Sequence, residues 1–260
     1  MTAGQLTYEE YIAGAEKWQF SGWDFSYLEG RMVDAPLPWD FASLVRGRMR
    51  EDALFLDMGT GGGEFLASLA PLPKRTYTTE GYGPNMQVAL SRLSPLGVDV
   101  VNTWCTDNTA LQQKGDMPFS EGSFDIIADR HEAFRAGEVA RVLKRGGVFM
   151  TQQVESISKP ELNQALGVPV PEDLWNLRTA TGQLADAGLE ITAGREAAVP
   201  SVFMDIGAVV CYLRMVEWHI PDFSVGRYDS ELRSIDSEIR RNGGFRTSDR
   251  YFLVEATKGA

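Results

Sequence analysis

The chain has 260 residues, of which 43% are hydrophobic and 23% charged, and this composition excludes a mainly disordered protein. Its formal net charge of −11 argues against binding through nucleic-acid phosphates, because such binding needs clustered Lys and Arg. Cys105 and Cys211 are too few for a disulfide framework and have no zinc-ligand spacing, which favours free thiols in the cytoplasm. The sequence shows neither a signal-peptide pattern nor an apolar run of about 18 residues, so we expect no secretion and no membrane span.

The first part of the chain, about residues 1–48, combines aromatic side chains with glycines and prolines. Its aromatic side chains between residues 18 and 41 are Trp18, Phe20, Trp23, Phe25, Tyr27, Trp39 and Phe41. Two interpretations remain open for this stretch. It is either an irregular segment packed on a domain surface or an aromatic lid over a small-molecule site.

After residue 50, short apolar runs alternate with segments of helical periodicity. Strands are predicted at residues 53–58, 76–79, 98–105, 124–128, 148–154, 189–195 and 251–256. Helices are predicted at residues 64–69, 84–93, 137–144, 172–187, 202–216 and 228–241. This alternation predicts an α/β fold with a mostly parallel sheet and helices on both faces. Because no linker-like stretch interrupts the pattern, we expect a single domain over residues 1–260. Its core would cover about 50–196 and 244–258, and its lid segments about 1–48 and 197–243.

A glycine-rich turn follows the first predicted strand. Residues 57–63 read DMGTGGG, and glycines in such a turn let backbone N–H groups approach a ligand closely. Glu80 ends the next predicted strand, where a carboxylate can accept two hydrogen bonds from a ribose diol. The alternatives are a tight turn without a ligand and an exposed glutamate at a strand end.

Four segments in chain order resemble the class I S-adenosylmethionine-dependent methyltransferases of the methyltransferase type 11 kind. They are residues 54–66 (LFLDMGTGGGEFL), 79–89 (TEGYGPNMQVA), 117–125 (MPFSEGSFD) and 138–149 (EVARVLKRGGVF). The resemblance implies a Rossmann-like sheet of seven strands whose last strand is antiparallel, and residues 244–258 are the expected last strand. It also implies S-adenosyl-L-methionine as the cofactor.

Carried over by position, the resemblance implies roles for residues around the glycine turn. Gly59, Gly61 and Gly63 would contact the methionine part of the cofactor. Asp57 would order this loop and face the cofactor's ammonium group, and Glu80 would bind the ribose.

The resemblance also places an acidic residue after the third strand, next to the adenine amino group. Asp107 is preferred there, with Asp116 as the alternative. Arg31 is a candidate for closing over the cofactor carboxylate. Three side chains of the second lid segment line an aromatic substrate pocket or pack in the core: Tyr212, Trp218 and His219.

The fourth predicted strand ends close to the expected position of the transferred methyl group. His131 suits a general base because an ordinary imidazole titrates near neutral pH, but it equally suits a group that packs on the cofactor or orders the loop. Arg130 would bind a carboxylate of the substrate or cofactor, or would pair with Asp129 or Glu132. His131 and Arg130 are therefore the catalytic candidates.

Several methylation chemistries lack their residues in this sequence. No [DNS]-P-P-[YFW] segment for base-amino methylation is present, and neither cysteine follows a proline. Gln152 and Gln153 occupy the place of the Asp-Asn pair of metal-dependent enzymes, so no metal site is expected.

These observations predict methyl transfer to O, N or C of a small molecule, with a specialised metabolite as one candidate class. The alternatives are an NAD(P)-dependent oxidoreductase and a non-catalytic, cofactor-binding partner subunit. The oxidoreductase is disfavoured because no Tyr-x-x-x-Lys occurs and the turn is not G-x-G-x-x-G. No nucleic-acid or membrane partner is expected, and the oligomeric state stays open.

Overall fold

A computed structural model describes residues 6–19, 25–103, 107–108, 113–114, 116–170, 172 and 175–259, with the backbone alone at 107–108 and 113–114. The strands in this part of the chain are β1 (Met32–Asp34), β2 (Leu54–Met58), β3 (Arg75–Glu80), β4 (Val98–Asn102), β5 (Asp107–Asn108), β6 (Gln113–Lys114), β7 (Phe124–Arg130), β8 (Leu143–Val154), β9 (Leu189–Phe203) and β10 (Phe245–Lys258). The α-helices are α1 (Tyr8–Lys17), α2 (Phe41–Arg48), α3 (Glu64–Ser68), α4 (Gly83–Leu93), α5 (Ala136–Val142), α6 (Pro160–Ala165), α7 (Leu177–Asp186), α8 (Ile206–Met215) and α9 (Asp229–Asn242).

The main sheet has eight strands in the order β1-β9-β10-β8-β7-β2-β3-β4. The pairs β7–β8, β2–β7, β2–β3 and β3–β4 are parallel, whereas β10 runs antiparallel to β8. The α/β fold with a mostly parallel sheet and an antiparallel last strand is therefore confirmed. The predicted number of seven strands is one too low, because β1 pairs with β9 at the edge of the sheet. A three-residue strand carries too short a pattern to be recognised without its partner.

The described chain divides into two compact units. We call the first the helical unit (Met1–Leu37, Ser156–Asp173 and Ala198–Arg250) and the second the Rossmann unit (Pro38–Glu155, Leu174–Ala197 and Tyr251–Ala260). Each unit has its own buried apolar cluster. The assignment of residues 1–260 to one domain stays a prediction.

The helical unit includes a helix that the sequence analysis did not predict. Thr7 and Glu10 form a capping box at the start of α1, in which each side chain binds the backbone N–H of the other. This S/T-x-x-E pattern was the available signal for the helix. α8 is buried on almost every side, so its apolar sequence reflects its position in the core of this unit.

Two predicted helix boundaries differ from the structure because strands continue into them. The helix predicted at 137–144 ends at Val142, and Lys144 lies in β8, where its ammonium group contacts Asp125 at 2.8 Å. The helix predicted from residue 202 begins at Ile206, because β9 runs on to Phe203 and Asp205 caps α8. Pairing with distant residues decided both boundaries.

A buried ion pair lies inside the helical unit. Lys159 has left-handed backbone torsions (φ 50°) and is 1% exposed. Its Nζ donates to Asp249 Oδ2 at 2.6 Å and to Ser201 Oγ at 2.7 Å, and Ser158 Oγ donates to Asp249 Oδ1 at 2.6 Å. A buried ammonium group is tolerated only with such partners, so the pair constrains how these segments pack.

We expect Asp249→Ala to destabilise the protein by about 3–5 kcal/mol, because it removes the hydrogen-bonded counterion of the buried Lys159 ammonium and leaves only the more distant Asp34 at 4.0 Å. Denaturant unfolding measures this loss. The double variant Lys159→Met/Asp249→Ala should recover most of it. Glu9→Ala is the control, since it removes an exposed carboxylate from a surface pair with Arg233 and should leave the unfolding midpoint unchanged. An unchanged midpoint for Asp249→Ala would contradict the importance of the pair.

Candidate functional site

The candidate site lies where β2 and β7 end next to each other in the Rossmann unit. The two strands are parallel, with Asp57 opposite Ala128 and Met58 opposite Asp129. β3 and β4 continue the sheet on one side of β2, and β7 and β8 continue it on the other. Such a switch point at the carboxyl ends of parallel strands is where open α/β sheets bind ligands.

The glycine turn has a left-handed backbone at Gly59, Gly61 and Gly63, with φ of 61°, 60° and 83°. A Cβ at Gly63 would lie 2.8 Å from Leu93, and one at Gly59 would lie 2.5 Å from the Glu132 side chain. A Cβ at Gly61 would have no neighbour within 4 Å. A Cβ at Gly62 would lie 2.6 Å from the Glu64 carboxylate, so within this turn Gly61 is the glycine with open space beside its backbone.

Asp57 lies beneath this turn. Its side chain is 2% exposed, and the Thr78 hydroxyl donates to Asp57 Oδ2 at 3.1 Å and to its carbonyl oxygen at 2.9 Å. Burial raises the pKa of Asp57 to about 6, against the effect of these hydroxyl contacts. Both expected roles of Asp57, ordering the loop and facing the cofactor ammonium, stay predictions, and its burial disfavours the second.

Glu80 ends β3 beside the same turn. Its Oε1 accepts a hydrogen bond from the Tyr82 backbone N–H at 2.7 Å. Burial raises the pKa of Glu80, while the backbone N–H groups of Tyr82 and Gly61 act in the opposite direction. This carboxylate is therefore fixed next to the open part of the turn.

The two candidates for the adenine contact lie in different surroundings. Asp107 belongs to the short hairpin β5–β6, where its backbone pairs with Lys114, and its side chain lies outside the described residues. Asp116 is exposed and forms an ion pair with Arg135 at 2.8 Å. The preference for Asp107 stays a prediction.

Asp129 organises the chain after β7. It is fully buried and accepts hydrogen bonds from Thr151 Oγ1 and Gln153 Nε2, both at 3.0 Å, and from the Glu132 backbone N–H at 3.1 Å. Burial, together with the negative charge of Glu132, raises its pKa well above the ordinary range. These bonds fold residues 129–132 back against β8.

His131 is held in one orientation and one tautomer. Its backbone is left-handed (φ 69°), and its N–H donates to the Gln152 carbonyl at 2.9 Å. Trp39 Nε1 donates to Gln152 Oε1 at 2.9 Å, so the Gln152 NH₂ group faces His131 Nε2 at 3.0 Å. Because an indole N–H only donates, this chain assigns the Nε2 lone pair as the acceptor and the proton to Nδ1.

The surroundings of His131 keep its ring neutral. Burial by the surrounding protein and the nearby charge of Arg130 lower its pKa to about 4. By its solvent-accessible surface His131 is nevertheless an exposed residue, so a ligand can reach its ring. At neutral pH the ring thus offers an N–H donor at Nδ1, while the lone pair on Nε2 already accepts a hydrogen bond from Gln152.

Arg130 and Glu132 flank His131 without forming an ion pair with each other. Arg130 is exposed, and its guanidinium group lies 5.3 Å from the Phe65 ring centre. The Glu132 carboxylate has no hydrogen bond or ion pair within the part of the chain that the structure describes. Burial and the charge of Glu80 raise the pKa of Glu132 to about 7.

Sequence reasoning missed Glu132 as a site residue and considered it only as a partner for Arg130. No motif marked it. The loop after β7 brings the Glu132 side chain against Gly59, and no sequence pattern indicates this contact.

The remaining candidates lie in the helical unit and have partners within that unit. Arg31 forms two hydrogen bonds with Asp205, at 2.8 and 2.5 Å, and lies over the Tyr27 ring at 4.0 Å. Tyr212 is buried and packs edge-on against His219 at 5.6 Å. These contacts favour packing over the expected ligand contacts for the three residues Arg31, Tyr212 and His219.

The described part of the aromatic first segment contains packed and exposed side chains, and the choice between surface packing and a lid stays open. Trp18 and Tyr27 pack together at 5.1 Å, and Trp39 is buried. Phe25 and, in the other lid segment, Trp218 are exposed. Phe20 and Trp23, like Cys105, lie outside the described residues. Cys211 is a buried free thiol whose pKa burial raises to about 11.

Comparison with known proteins assigns the class. Residues 56–151 match the family model described as "Methyltransferase domain". No curated protein matches the chain. No helix among the described residues has the length and apolar character needed to cross a membrane.

Three solved structures resemble this one in fold, all below 25% identity. A candidate methyltransferase of Bacillus halodurans C-125 is 20% identical, with a TM-score of 0.59 and coverage of 85% of this chain and 99% of that one. A functionally unknown protein of Deinococcus radiodurans R1 is 16% identical, with a TM-score of 0.61 and coverage of 96% and 99%. A candidate sarcosine dimethylglycine methyltransferase of Galdieria sulphuraria is 16% identical, with a TM-score of 0.50 and coverage of 84% of each chain.

The sheet order, the glycine turn at its switch point and the domain match define a class I S-adenosylmethionine-dependent methyltransferase. The recognition of a class I S-adenosylmethionine-dependent methyltransferase is therefore confirmed through the domain at residues 56–151, with S-adenosyl-L-methionine as the cofactor.

We expect the His131 ring to stay neutral, with its proton on Nδ1, between pH 5 and pH 8. Two-dimensional ¹⁵N NMR of the imidazole rings measures both properties. His131 and His219 are the only histidines, so His131→Asn assigns the signals. Gln152→Leu should remove the amide that occupies Nε2 and shift that resonance. A His131 signal that titrates near pH 6.5 would contradict the arrangement.

Glu132 should make the cofactor-free protein less stable as the pH rises. Its pKa of about 7 in the folded state exceeds the ordinary value of 4.5. Between about pH 4.5 and pH 7 the carboxyl group is therefore protonated in the folded state but ionised in the unfolded state. The free energy of unfolding falls as the pH rises through this range. Glu132→Gln should therefore gain roughly 1–3 kcal/mol relative to wild type between pH 5 and pH 8. Urea unfolding at each pH measures the difference.

Glu51→Gln provides the control for this pH dependence. Its exposed carboxylate pairs with Lys74 on the surface, so the plot of its stability against pH should run parallel to that of the wild type. A parallel curve for Glu132→Gln as well would contradict the raised pKa.

Proposed function

We propose that this enzyme transfers the methyl group of S-adenosyl-L-methionine to an O, N or C atom of a small-molecule acceptor. The observation that carries the proposal is the open backbone at Gly61 beside the fixed carboxylate of Glu80, at the switch point of the sheet. The cofactor supplies a methyl carbon activated by a positively charged sulfur. The residues present fit its two ends, because the turn offers close backbone approach and Glu80 offers acceptors for a diol.

The cofactor contacts divide between these two features. The turn from Gly59 to Gly63 would hold the methionine part, and Glu80 would accept hydrogen bonds from the ribose hydroxyls. Asp107 is proposed for the adenine amino group on the family resemblance alone. Asp57 supports the turn from below.

A small acceptor fits the chain better than a nucleic acid does. The net charge of −11 opposes a phosphate backbone, and the motif for base-amino methylation is missing from the sequence. The Galdieria protein of similar fold is described by a small-molecule activity, which agrees with this choice. The free buried thiol of Cys211 supports a cytoplasmic location, and no nucleic-acid or membrane partner enters the proposal.

His131 acts in this proposal as a positioning donor and not as a general base. A base must offer a lone pair, but Nε2 accepts from Gln152 and Nδ1 carries the proton. Alignment of the acceptor with the methyl carbon supplies much of the rate enhancement, since proximity alone contributes roughly 7–11 kcal/mol. Arg130, which has no described ion pair, is available for a carboxylate of the acceptor or cofactor.

We expect Gly61→Ala to weaken S-adenosylmethionine binding at least tenfold, which corresponds to about 1.4 kcal/mol. The new methyl group would stand where the open backbone meets the ligand. Calorimetric titration measures the affinity. Gly122→Ala is the matched control, because Gly122 also has a positive φ (61°) and open space around its Cβ position.

Both glycine variants should lose similar stability from strain at positive φ, but only Gly61→Ala should lose affinity. Equal affinities in the two variants would place the cofactor elsewhere.

The acceptor class is tested with cofactor that carries a labelled methyl group. The enzyme is incubated with fractions of a cell extract, and the label is followed by mass spectrometry and by precipitation. Label in small soluble products is expected. Label confined to nucleic acid or precipitated protein would overturn the small-molecule assignment.

A further inference from the structure

Four carboxylates lie close together around the glycine turn, and three of them are already occupied. The Asp57 carboxylate accepts a hydrogen bond from the Thr78 hydroxyl, and the Asp129 carboxylate accepts from three donors. The Glu80 carboxylate accepts from backbone N–H groups. Asp57, Glu80 and Asp129 are also at most 6% exposed. Glu132 alone combines accessible surface with a carboxylate that has no described partner.

The Glu132 side chain lies directly on the turn. The position that a Cβ would take at Gly59 is 2.5 Å from its Cβ and Cγ and 2.6 Å from Oε2. The glycine at position 59 is therefore what allows this carboxylate to approach the backbone. Among the described residues, no group of three or more His, Cys, Asp or Glu side chains is arranged to hold a metal ion. A single carboxylate without a described partner can pair with an ammonium group through a charge-assisted hydrogen bond.

We propose that the Glu132 carboxylate is the counterion of the ammonium group at the methionine end of the bound cofactor. This inference rests on the proposed function. S-Adenosylmethionine carries positive charge only at its methionine end, and its adenosine end has no cation for a carboxylate to pair with. Glu80, at the end of β3, is proposed for the ribose diol, so the two carboxylates would contact different parts of the cofactor.

The charges around Glu132 make this pairing dependent on pH. Glu80 and Asp129 repel its charge, His131 is neutral, and Arg130 forms no ion pair with it within the described residues. A bound ammonium group favours the ionised carboxylate, so cofactor binding releases a proton near neutral pH. Affinity should therefore rise between pH 6 and pH 8 in the wild type and stay flat in Glu132→Gln.

The test compares three ligands by calorimetry on the full chain. S-Adenosylmethionine and S-adenosylhomocysteine both carry the ammonium group, whereas 5′-methylthioadenosine lacks the amino-acid end. Glu132→Gln should lower the affinity for S-adenosylmethionine and S-adenosylhomocysteine at least tenfold. It should change the affinity for 5′-methylthioadenosine by less than twofold. Glu132→Asp keeps the charge and should stay within about fivefold of wild type. Glu51→Gln, the same substitution in an exposed surface pair with Lys74 ahead of β2, should change the affinity for none of the three.

Each outcome bears on a different claim. Unchanged binding of the two amino-acid ligands by Glu132→Gln, or equal weakening of all three ligands, overturns the counterion role and leaves the cofactor site in place. No binding of any ligand by the wild-type chain overturns the proposed function together with it. Unchanged 5′-methylthioadenosine binding also shows that the variant is folded.

Discussion

The parallel pairing of β2 with β7 is the constraint on which the site depends. It places Gly59, at the end of one strand, next to residues 129–132, at the end of the other, although they are about 70 positions apart in the sequence. Helices between parallel strands make such a long-range neighbour relation possible. Without this register the loop at residues 129–132 would not lie beside the glycine turn, and the Glu132 side chain would not contact Gly59.

The loop after β7 is fixed by buried polar contacts and not by apolar packing. Asp129 gathers a hydroxyl, an amide and a backbone N–H, and Gln152 connects Trp39 to His131. Such networks are stable only when each member has a partner, which makes the loop rigid. Rigid placement suits a reaction that depends on aligning an acceptor with a methyl group. Within the part of the chain that the structure describes, the Glu132 carboxylate of this loop has no hydrogen-bond partner, which is why we propose it as a ligand contact.

The same network explains why the chemistry of His131 differs from that of an ordinary histidine. An isolated imidazole titrates near neutral pH, but here a low pKa and an occupied Nε2 lone pair leave only a donor. Glu132 undergoes the opposite shift, because burial and a neighbouring carboxylate favour its neutral form. The pKa of His131, about 4, is therefore lower than that of the adjacent Glu132, about 7, which is the reverse of the ordinary order for these two residue types.

The sequence alone determined the class of fold, the glycine turn after β2 and the position of Glu80 at the end of β3, because these depend on local patterns of strand, glycine and acid. It also indicated the antiparallel last strand through a family resemblance. Only the tertiary structure decided the eighth strand, the extended β9 and the partners of Arg31, since each arises from residues far apart in the chain. The same holds for the site: neither the tautomer of His131 nor the position of Glu132 has a sequence signature, because both follow from packing between the ends of neighbouring strands.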